Sequence, residues 1–258
     1  MALQRFKPEW NIRVWTRESS LERARAVVPS VTSDPLEAVH GADVVVFCTP
    51  VGSMRALAAS ICKEIPEETV VTDAASVKEG VCLEMEELLG GRFVGSHPMA
   101  GSERSGFDAA RADLFEGATC FVTPGPSTGA HVRQVVTSFW QGIGCRVKEV
   151  TPSEHDRLVA RASHLPHAVA GCLVRAIDRF CPEAIHATGP GFRDTTRVAG
   201  GPAAMWAEIF QSNRGNVLAA LAEFRQALDE FEGILASADP GALERELDVA
   251  RRAREALL

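Results

Sequence analysis

Residues 43–51 read DVVVFCTPV and residues 69–78 read TVVTDAASVK, two short β-branched runs that each end in polar or turn-forming residues. Short apolar runs of this kind are typical of strands buried in a parallel sheet. Four further segments have the same character and are also predicted to be strands: residues 11–15, 93–95, 120–123 and 146–150.

Longer amphipathic stretches lie between these strands, as the helices of an α/β fold do. They cover residues 20–28, 34–40, 51–64, 77–89 and 128–142. The alternation of strands and helices predicts a doubly wound, mostly parallel sheet within residues 1–150.

The strand-like runs stop near residue 150, where we predict a domain boundary. Residues 154–180, 203–236 and 240–257 have helical spacing, and no lysine follows Lys148. The second domain, residues 151–258, is therefore expected to be all-helical.

Composition and charge exclude several classes of protein. The chain has 258 residues, of which 46% are hydrophobic and 24% charged, and it lacks the run of about 18 uncharged apolar residues that a membrane helix needs. Basic residues number 15 against 19 acidic ones up to Val150, and 12 against 15 after it. Neither half is a basic surface for nucleic acid.

The cysteines and the N-terminal residues predict a location in the cell. Seven cysteines are scattered without a C-x-x-C pair, as reduced thiols are, and residues 1–14 have no apolar core of a secretory signal. We expect a cytoplasmic protein.

Unusual residues follow three successive predicted strands. Thr49 and Pro50 follow the first, Ser76 comes shortly after the second, and the third leads into residues 95–106, GSHPMAGSERSG. Ligands of doubly wound sheets bind outside the carboxyl ends of the strands. His97, in a predicted loop with Glu103 six residues on, is therefore placed for proton transfer.

These motifs resemble those of the TyrA family, the prephenate and arogenate dehydrogenases of tyrosine biosynthesis. The resemblance extends over nearly the whole chain, through TPV (49–51), DAASVK (73–78), residues 95–106, ASHLPH (162–167) and GFRDTTRVAGGPAAMWAEIFQSN (191–213). It implies a Rossmann-like nucleotide-binding domain, residues 1–150, and a helical dimerisation and substrate domain, residues 151–258. It also implies an intertwined homodimer with the active site in the cleft between the domains.

The family reaction is an oxidative decarboxylation in which the ring C4 of prephenate gives a hydride to the nicotinamide and C1 loses CO2. The resemblance implies that His97, in its neutral form, accepts a hydrogen bond from the C4 hydroxyl, and that Ser76 bonds the same hydroxyl. Glu103 matches an acid that gates the substrate mouth.

The helical half supplies the other residues that the resemblance implies. Arg197 matches the arginine that holds a substrate carboxylate, and Arg193 is a second candidate cation. The two arginines are four residues apart and share a face if that segment is helical. His167 and His164 match histidines that line the pocket.

Structural interpretations of several of these residues stay open. Ser76 could cap a helix over residues 77–89, and Glu103 could be a solvated loop carboxylate. The spacing His164-x-x-His167 could suggest zinc, but no further cluster of ligands is nearby in sequence, so no metal is expected. A group with helical spacing is expected in the core or the dimer interface: Met205, Trp206, Ile209 and Phe210.

The chain departs from the family at its start, because no strand with G-x-G-x-x-G precedes residue 11. The first ten residues instead resemble the end of the helix that normally follows the glycine loop. We therefore expect that about 20 residues of the fold are missing and that the natural product is longer. The chain alone is expected to be poorly soluble or to bind no dinucleotide.

Cofactor choice depends on the residues after the first predicted strand. Thr16 and Arg17 favour the 2′-phosphate of NADP, and NAD is the alternative because Glu18 could bond the ribose. Thr49, Pro50 and Ser76 are further candidate cofactor contacts.

Other functions also stay open. The sequence does not separate a prephenate from an arogenate dehydrogenase, and it does not show whether tyrosine inhibits. A related dehydrogenase of β-hydroxyacids is one alternative, and a disabled dimeric binding protein without the glycine loop is another.

Overall fold

A computed structural model describes residues 1–101, 106 and 110–256 of the chain. Its contacts divide the chain into two compact units, Met1–Asn213 and Arg214–Leu258. This division falls after Asn213. It does not test the domain boundary expected at residue 150, which stays a prediction.

The first unit contains the strands and most of the helices. The strands are β1 Val14–Trp15, β2 Val31–Thr32, β3 Val44–Phe47, β4 Val70–Asp73, β5 Phe93–Pro98, β6 Thr119–Thr123 and β7 Arg146–Glu149. The helices are α1 Ala2–Phe6, α2 Leu21–Arg25, α3 Pro35–Val39, α4 Val51–Ile61, α5 Glu79–Leu89, α6 Ala130–Gly142, α7 Pro152–Val159, α8 Leu165–Phe180, α9 Pro190–Thr196 and α10 Ala203–Ser212. The second unit contains α11 Arg214–Ala236 and α12 Pro240–Glu255.

Five strands form one sheet in the order β3-β4-β5-β6-β7, and β1 pairs with β2 separately. All neighbouring strands are parallel except β5 and β6. The predicted α/β class and mostly parallel sheet are confirmed. Within the described residues, β1 and β3 are each paired with a strand on one side.

Alternating residues of the central strands pack on opposite faces of this sheet, as the period of two requires. Val71 and Phe93 lie in a buried cluster with residues of α4 and α5. Val70 and Val94 lie in a second cluster with residues of α6. β4 is buried throughout, whereas β3 is partly exposed because it is the outer strand of its sheet.

The helical segments after residue 150 differ in detail from the predicted ones. The predicted helix 154–180 contains a π-helical segment, Ala160–His164, between α7 and α8. The predicted helix 203–236 is interrupted at Asn213, between α10 and α11. In the described residues, no helix is both long and apolar enough to cross a membrane.

Candidate active site

Three parallel strands bring the candidate residues to one edge of the sheet. Thr49 and Pro50 follow β3, Asp73 ends β4, and His97 lies near the end of β5. Since β3, β4 and β5 are neighbours, their carboxyl ends meet, as expected from the sequence. His97 was predicted in a loop, which is wrong: β5 extends to Pro98 because its last residues pair with β6.

His97 is buried and takes part in a chain of short polar contacts. Its Nδ1 lies 2.9 Å from Nε2 of His155, and Nδ1 of His155 lies 2.7 Å from Oδ1 of Asp156. Burial lowers the pKa of His97 well below its usual value, and the nearby His155, Lys78 and His164 lower it further. The imidazole is therefore neutral at neutral pH and is able to accept a proton.

Asp156 also closes the start of α5. Its two carboxylate oxygens accept hydrogen bonds from the main-chain nitrogens of Lys78, at 2.7 Å, and Glu79, at 2.9 Å. A carboxylate at a helix N-terminus satisfies free N–H groups and opposes the helix dipole. The suggested capping role of Ser76 is wrong, because α5 begins at Glu79 and the half-buried Ser76 lies before its first turn.

A buried ion pair joins Lys78 to Asp73 behind the strand ends. Both side chains are inaccessible to solvent. Asp73 also accepts hydrogen bonds from the main-chain nitrogens of Ala75, at 2.8 Å, and Ser96, at 2.9 Å. Because the carboxylate bonds the residue before His97, the pair fixes the end of β5 as well as the start of α5.

His164 and His167 lie near this network on the π-helical segment and on α8. His164 is buried, its Nδ1 is 3.2 Å from the Asn213 amide nitrogen, and burial lowers its pKa to about 4. The same amide nitrogen donates to the Asp156 carbonyl oxygen at 2.8 Å. Asn213 therefore connects His164 to the segment that carries His155.

His167 stacks on Trp206, with ring centroids 3.6 Å apart and an angle of 15° between the planes. Its buried Nδ1 has no hydrogen-bond partner among the described residues. Gly201 leaves room for the stack, because a Cβ there would lie 2.6 Å from Trp206 Nε1. Trp206 was expected in the core or an interface rather than in the pocket, yet it lies against a candidate site residue.

Arg193 lies on α9, and Arg197 begins the turn Arg197–Gly200 that follows it. Both arginines are exposed, and Arg197 has helical dihedral angles. The turn packs against α8, which carries His167. Glu103 lies outside the described residues.

Strand ends that could hold a dinucleotide carry suitable polar groups. Thr49 Oγ1 is buried and has no hydrogen-bond partner in the described part of the chain, so it is available to a ligand. Thr16 and the exposed Arg17 follow β1. These residues fit the ribose and a 2′-phosphate of a dinucleotide. No group of three or more His, Cys, Asp or Glu side chains among the described residues is arranged to hold a metal ion.

Family comparisons cover both halves of the chain. A family model described as "Prephenate dehydrogenase, nucleotide-binding domain" matches residues 14–149, and one described as "Prephenate dehydrogenase, dimerization domain" matches residues 151–249. A cyclohexadienyl dehydrogenase of Zymomonas mobilis is 31% identical over 99% of this chain and 90% of its own length. A prephenate dehydrogenase of Bacillus subtilis is 32% identical over 86% of this chain and 62% of its own length.

Solved structures of similar proteins have the same fold. Prephenate dehydrogenase of Aquifex aeolicus, in complex with hydroxyphenyl propionate and NAD+, superposes with a TM-score of 0.92 at 29% identity, over 100% of this chain and 92% of that one. Arogenate dehydrogenase of Synechocystis superposes with a TM-score of 0.81 at 28% identity, over 96% of this chain and 91% of that one.

Proposed function

The chain belongs to the prephenate dehydrogenase family, and we propose that it converts prephenate to 4-hydroxyphenylpyruvate and CO2 in tyrosine biosynthesis. The observation that carries the proposal is the buried histidine at the carboxyl end of β5, whose lowered pKa suits a proton acceptor. Thr49 and Ser76, which follow β3 and β4 at the same edge of the sheet, fit the cofactor side of the site.

NAD+ or NADP+ supplies the oxidising power when bound, by accepting the hydride of the substrate ring. His97 accepts the proton of the C4 hydroxyl through Nε2, the ring nitrogen that does not contact His155. Loss of the C1 carboxylate as CO2 then makes the ring aromatic, and the protonated His97 returns its proton to the C4 oxygen to give the phenol. Because aromatisation drives the reaction, the protein has mainly to position the ring and receive this proton.

Substrate binding is assigned to the helical residues near His167. Arg197 and Arg193 each bind one of the two substrate carboxylates through the guanidinium fork. The stacked pair His167 and Trp206 forms an apolar wall beside the ring, and the free Nδ1 of His167 is available to a polar substrate group.

Arg197→Gln is expected to raise KM for prephenate by about 10-fold or more, because a hydrogen bond to a charged group contributes about 1.5–3 kcal/mol. kcat should change little, since a carboxylate clamp binds the ground state and the transition state alike. Steady-state kinetics check this, with Arg179→Gln on α8 as the control. An unchanged KM would mean that Arg197 does not bind the substrate carboxylate, and Arg193 would then be the candidate.

The proposed reaction is tested by steady-state rates with prephenate and arogenate, each with NAD+ and NADP+. Turnover of prephenate by the natural protein is expected, with NADP+ preferred because Arg17 follows β1. Turnover of arogenate alone would assign the other substrate of the family. A protein that binds no dinucleotide and turns over neither substrate would support the disabled binding protein.

We further propose a homodimer, with residue 150 separating the nucleotide-binding from the dimerisation domain. The matches of the two family models on either side of that residue support the boundary. Helix α11 supports the dimer, because four large side chains, each 36–58% exposed, lie along one of its faces: Phe224, Leu228, Phe231 and Leu235.

The double substitution Leu228→Glu and Phe231→Glu is expected to weaken the dimer by about 10²-fold or more, because it places two charges where apolar surface is buried. Sedimentation velocity over a concentration series measures the change. Gln226→Glu, on the opposite face of α11, is the control and should stay dimeric. If the double variant dimerises as tightly as the parent chain, α11 is not the interface.

We also propose a cytoplasmic location. The seven cysteines support it, because all of them are free in the structure, as thiols in a reducing compartment are.

A further inference from the structure

His97 is the first of three side chains joined by hydrogen bonds that lead into the protein interior. The contacts run from His97 Nδ1 to His155 Nε2 at 2.9 Å, and from His155 Nδ1 to Asp156 Oδ1 at 2.7 Å. His155 is fully buried and Asp156 is 2% exposed, so water does not compete for these bonds.

The direction of each hydrogen bond follows from the acid at the inner end. Both carboxylate oxygens of Asp156 already accept main-chain N–H groups of α5, at 2.7 and 2.9 Å. An ionised carboxylate only accepts hydrogen bonds, so Nδ1 of His155 has to be the donor to it. A neutral imidazole carries one N–H, and His155 Nε2 is then a lone pair that accepts.

His97 must therefore donate through Nδ1, which leaves the lone pair of the neutral ring on Nε2. We infer that His155 and Asp156 are positioning residues that fix the tautomer of His97, so that its Nε2 is the proton acceptor. The assignment of the tautomer rests on these contacts and on the neutral state of both rings. Its use as a base rests on the proposed function.

Neutrality of His155 is required, because a doubly protonated ring would donate to His97 Nδ1 and leave the proton of His97 on Nε2. Burial lowers the pKa of His155, and the charge of Lys78 lowers it further, while Asp156 and Asp73 act in the opposite direction. His97 faces His155, Lys78 and His164, and all three lower its pKa. Burial therefore keeps both rings neutral at neutral pH.

Packing holds the two rings in this arrangement. The centroids of His97 and His155 are 5.1 Å apart at 66°, and Phe121 packs edge-on against His155 at 5.3 Å. Phe121 is the strand partner of His97 on β6. A phenyl ring at position 155 would therefore keep the shape of the site. It would remove only Nε2, the acceptor for His97, and Nδ1–H, the donor to Asp156.

The tautomer is measured directly by NMR of the full chain with 15N-labelled histidine, in which two-bond correlations separate Nδ1–H from Nε2–H rings. We expect His97 to be the Nδ1–H tautomer in the parent protein. In His155→Phe we expect a mixture of both tautomers, or the Nε2–H form. A parent protein with the proton of His97 on Nε2 would overturn the inference, and this result does not depend on which substrate the enzyme uses.

Kinetics provide the second test. His155→Phe is expected to lower kcat by about 10-fold to 10²-fold with KM within a few-fold. The reason is that only a minority of the His97 rings then keep a free lone pair on Nε2. His155→Gln should recover most of kcat, because its amide oxygen lies near the position of Nε2 and accepts from His97. Thr123→Val removes a buried hydroxyl that bonds the Gly95 carbonyl at 3.1 Å and is the structural control, with kcat unchanged.

The outcomes separate the two proposals. A parent protein that turns over neither substrate but holds His97 as the Nδ1–H tautomer would refute the proposed function and keep the inference. A His155→Phe variant with the parent tautomer and the parent kcat would refute the inference and keep the proposed function.

Discussion

His97→Asn is expected to lower kcat by about 10²-fold to 10⁴-fold while KM for prephenate changes by no more than a few-fold. The asparagine side chain is too short to place an acceptor where Nε2 of the imidazole lies, and its amide does not take up a proton at neutral pH. The proposed substrate contacts, namely the two arginines and the wall of His167 and Trp206, are left in place by this substitution.

Stopped-flow and steady-state absorbance at the reduced nicotinamide band measure the effect on the proposed reaction. His131→Asn changes an exposed histidine at the start of α6 and is the matched control. A His97→Asn variant with the parent kcat would remove the assigned role from this residue.

The pH profile gives an independent check on His97. The base is active when its ring is deprotonated, so kcat/KM should fall as the pH falls through the pKa of His97. Because burial lowers that pKa, activity should persist below about pH 6.5, the usual value for histidine. An acid limb centred above this value would contradict a neutral, buried His97.

Asp73→Asn is expected to cost about 3–5 kcal/mol of unfolding free energy, because it leaves the Lys78 ammonium buried without its counter-charge. The amide also loses one of the acceptors for the Ala75 and Ser96 N–H groups. For a protein of this size the loss corresponds to a fall in Tm of about 6–20 °C. Urea unfolding followed by circular dichroism measures it.

The double variant Asp73→Asn with Lys78→Met tests the cause of this loss. Removing the ammonium as well should recover part of the stability, because no uncompensated charge then remains in the interior. If the double variant is less stable than Asp73→Asn alone, the unpaired lysine is not the source of the cost. A loss of less than about 1 kcal/mol in the single variant would mean that the pair is solvated in solution.

The edge of the sheet was predictable because it follows from the alternation of strands and helices. Parallel strands place their carboxyl ends together, so the sequence alone places Thr49 and His97 at one edge. The strand β2 has only two residues and gives no periodicity to detect. The full length of β5 depends on its pairing with β6, which is a contact between residues distant in sequence.

The supporting residues of the site could not be found in the same way. His155 and Asp156 lie in the first turns of α7, where an acid commonly stabilises the N-terminus of its own helix. Asp156 instead caps the start of α5. Trp206 has the spacing of a core residue, and its stacking on His167 depends on how α8 and α10 pack and on the missing side chain at Gly201. Tertiary contacts of this kind leave no local pattern in the sequence.

The π-helical segment Ala160–His164 sets the direction in which the side chains of α8 point. A π-turn holds one residue more than an α-turn, and each residue of a helix advances the direction of the side chains by about 100°. His164 and His167 take their directions from that extra residue. A single deletion in this segment would leave α8 helical and almost unchanged in composition, and it would turn both histidines away from Asn213 and Trp206.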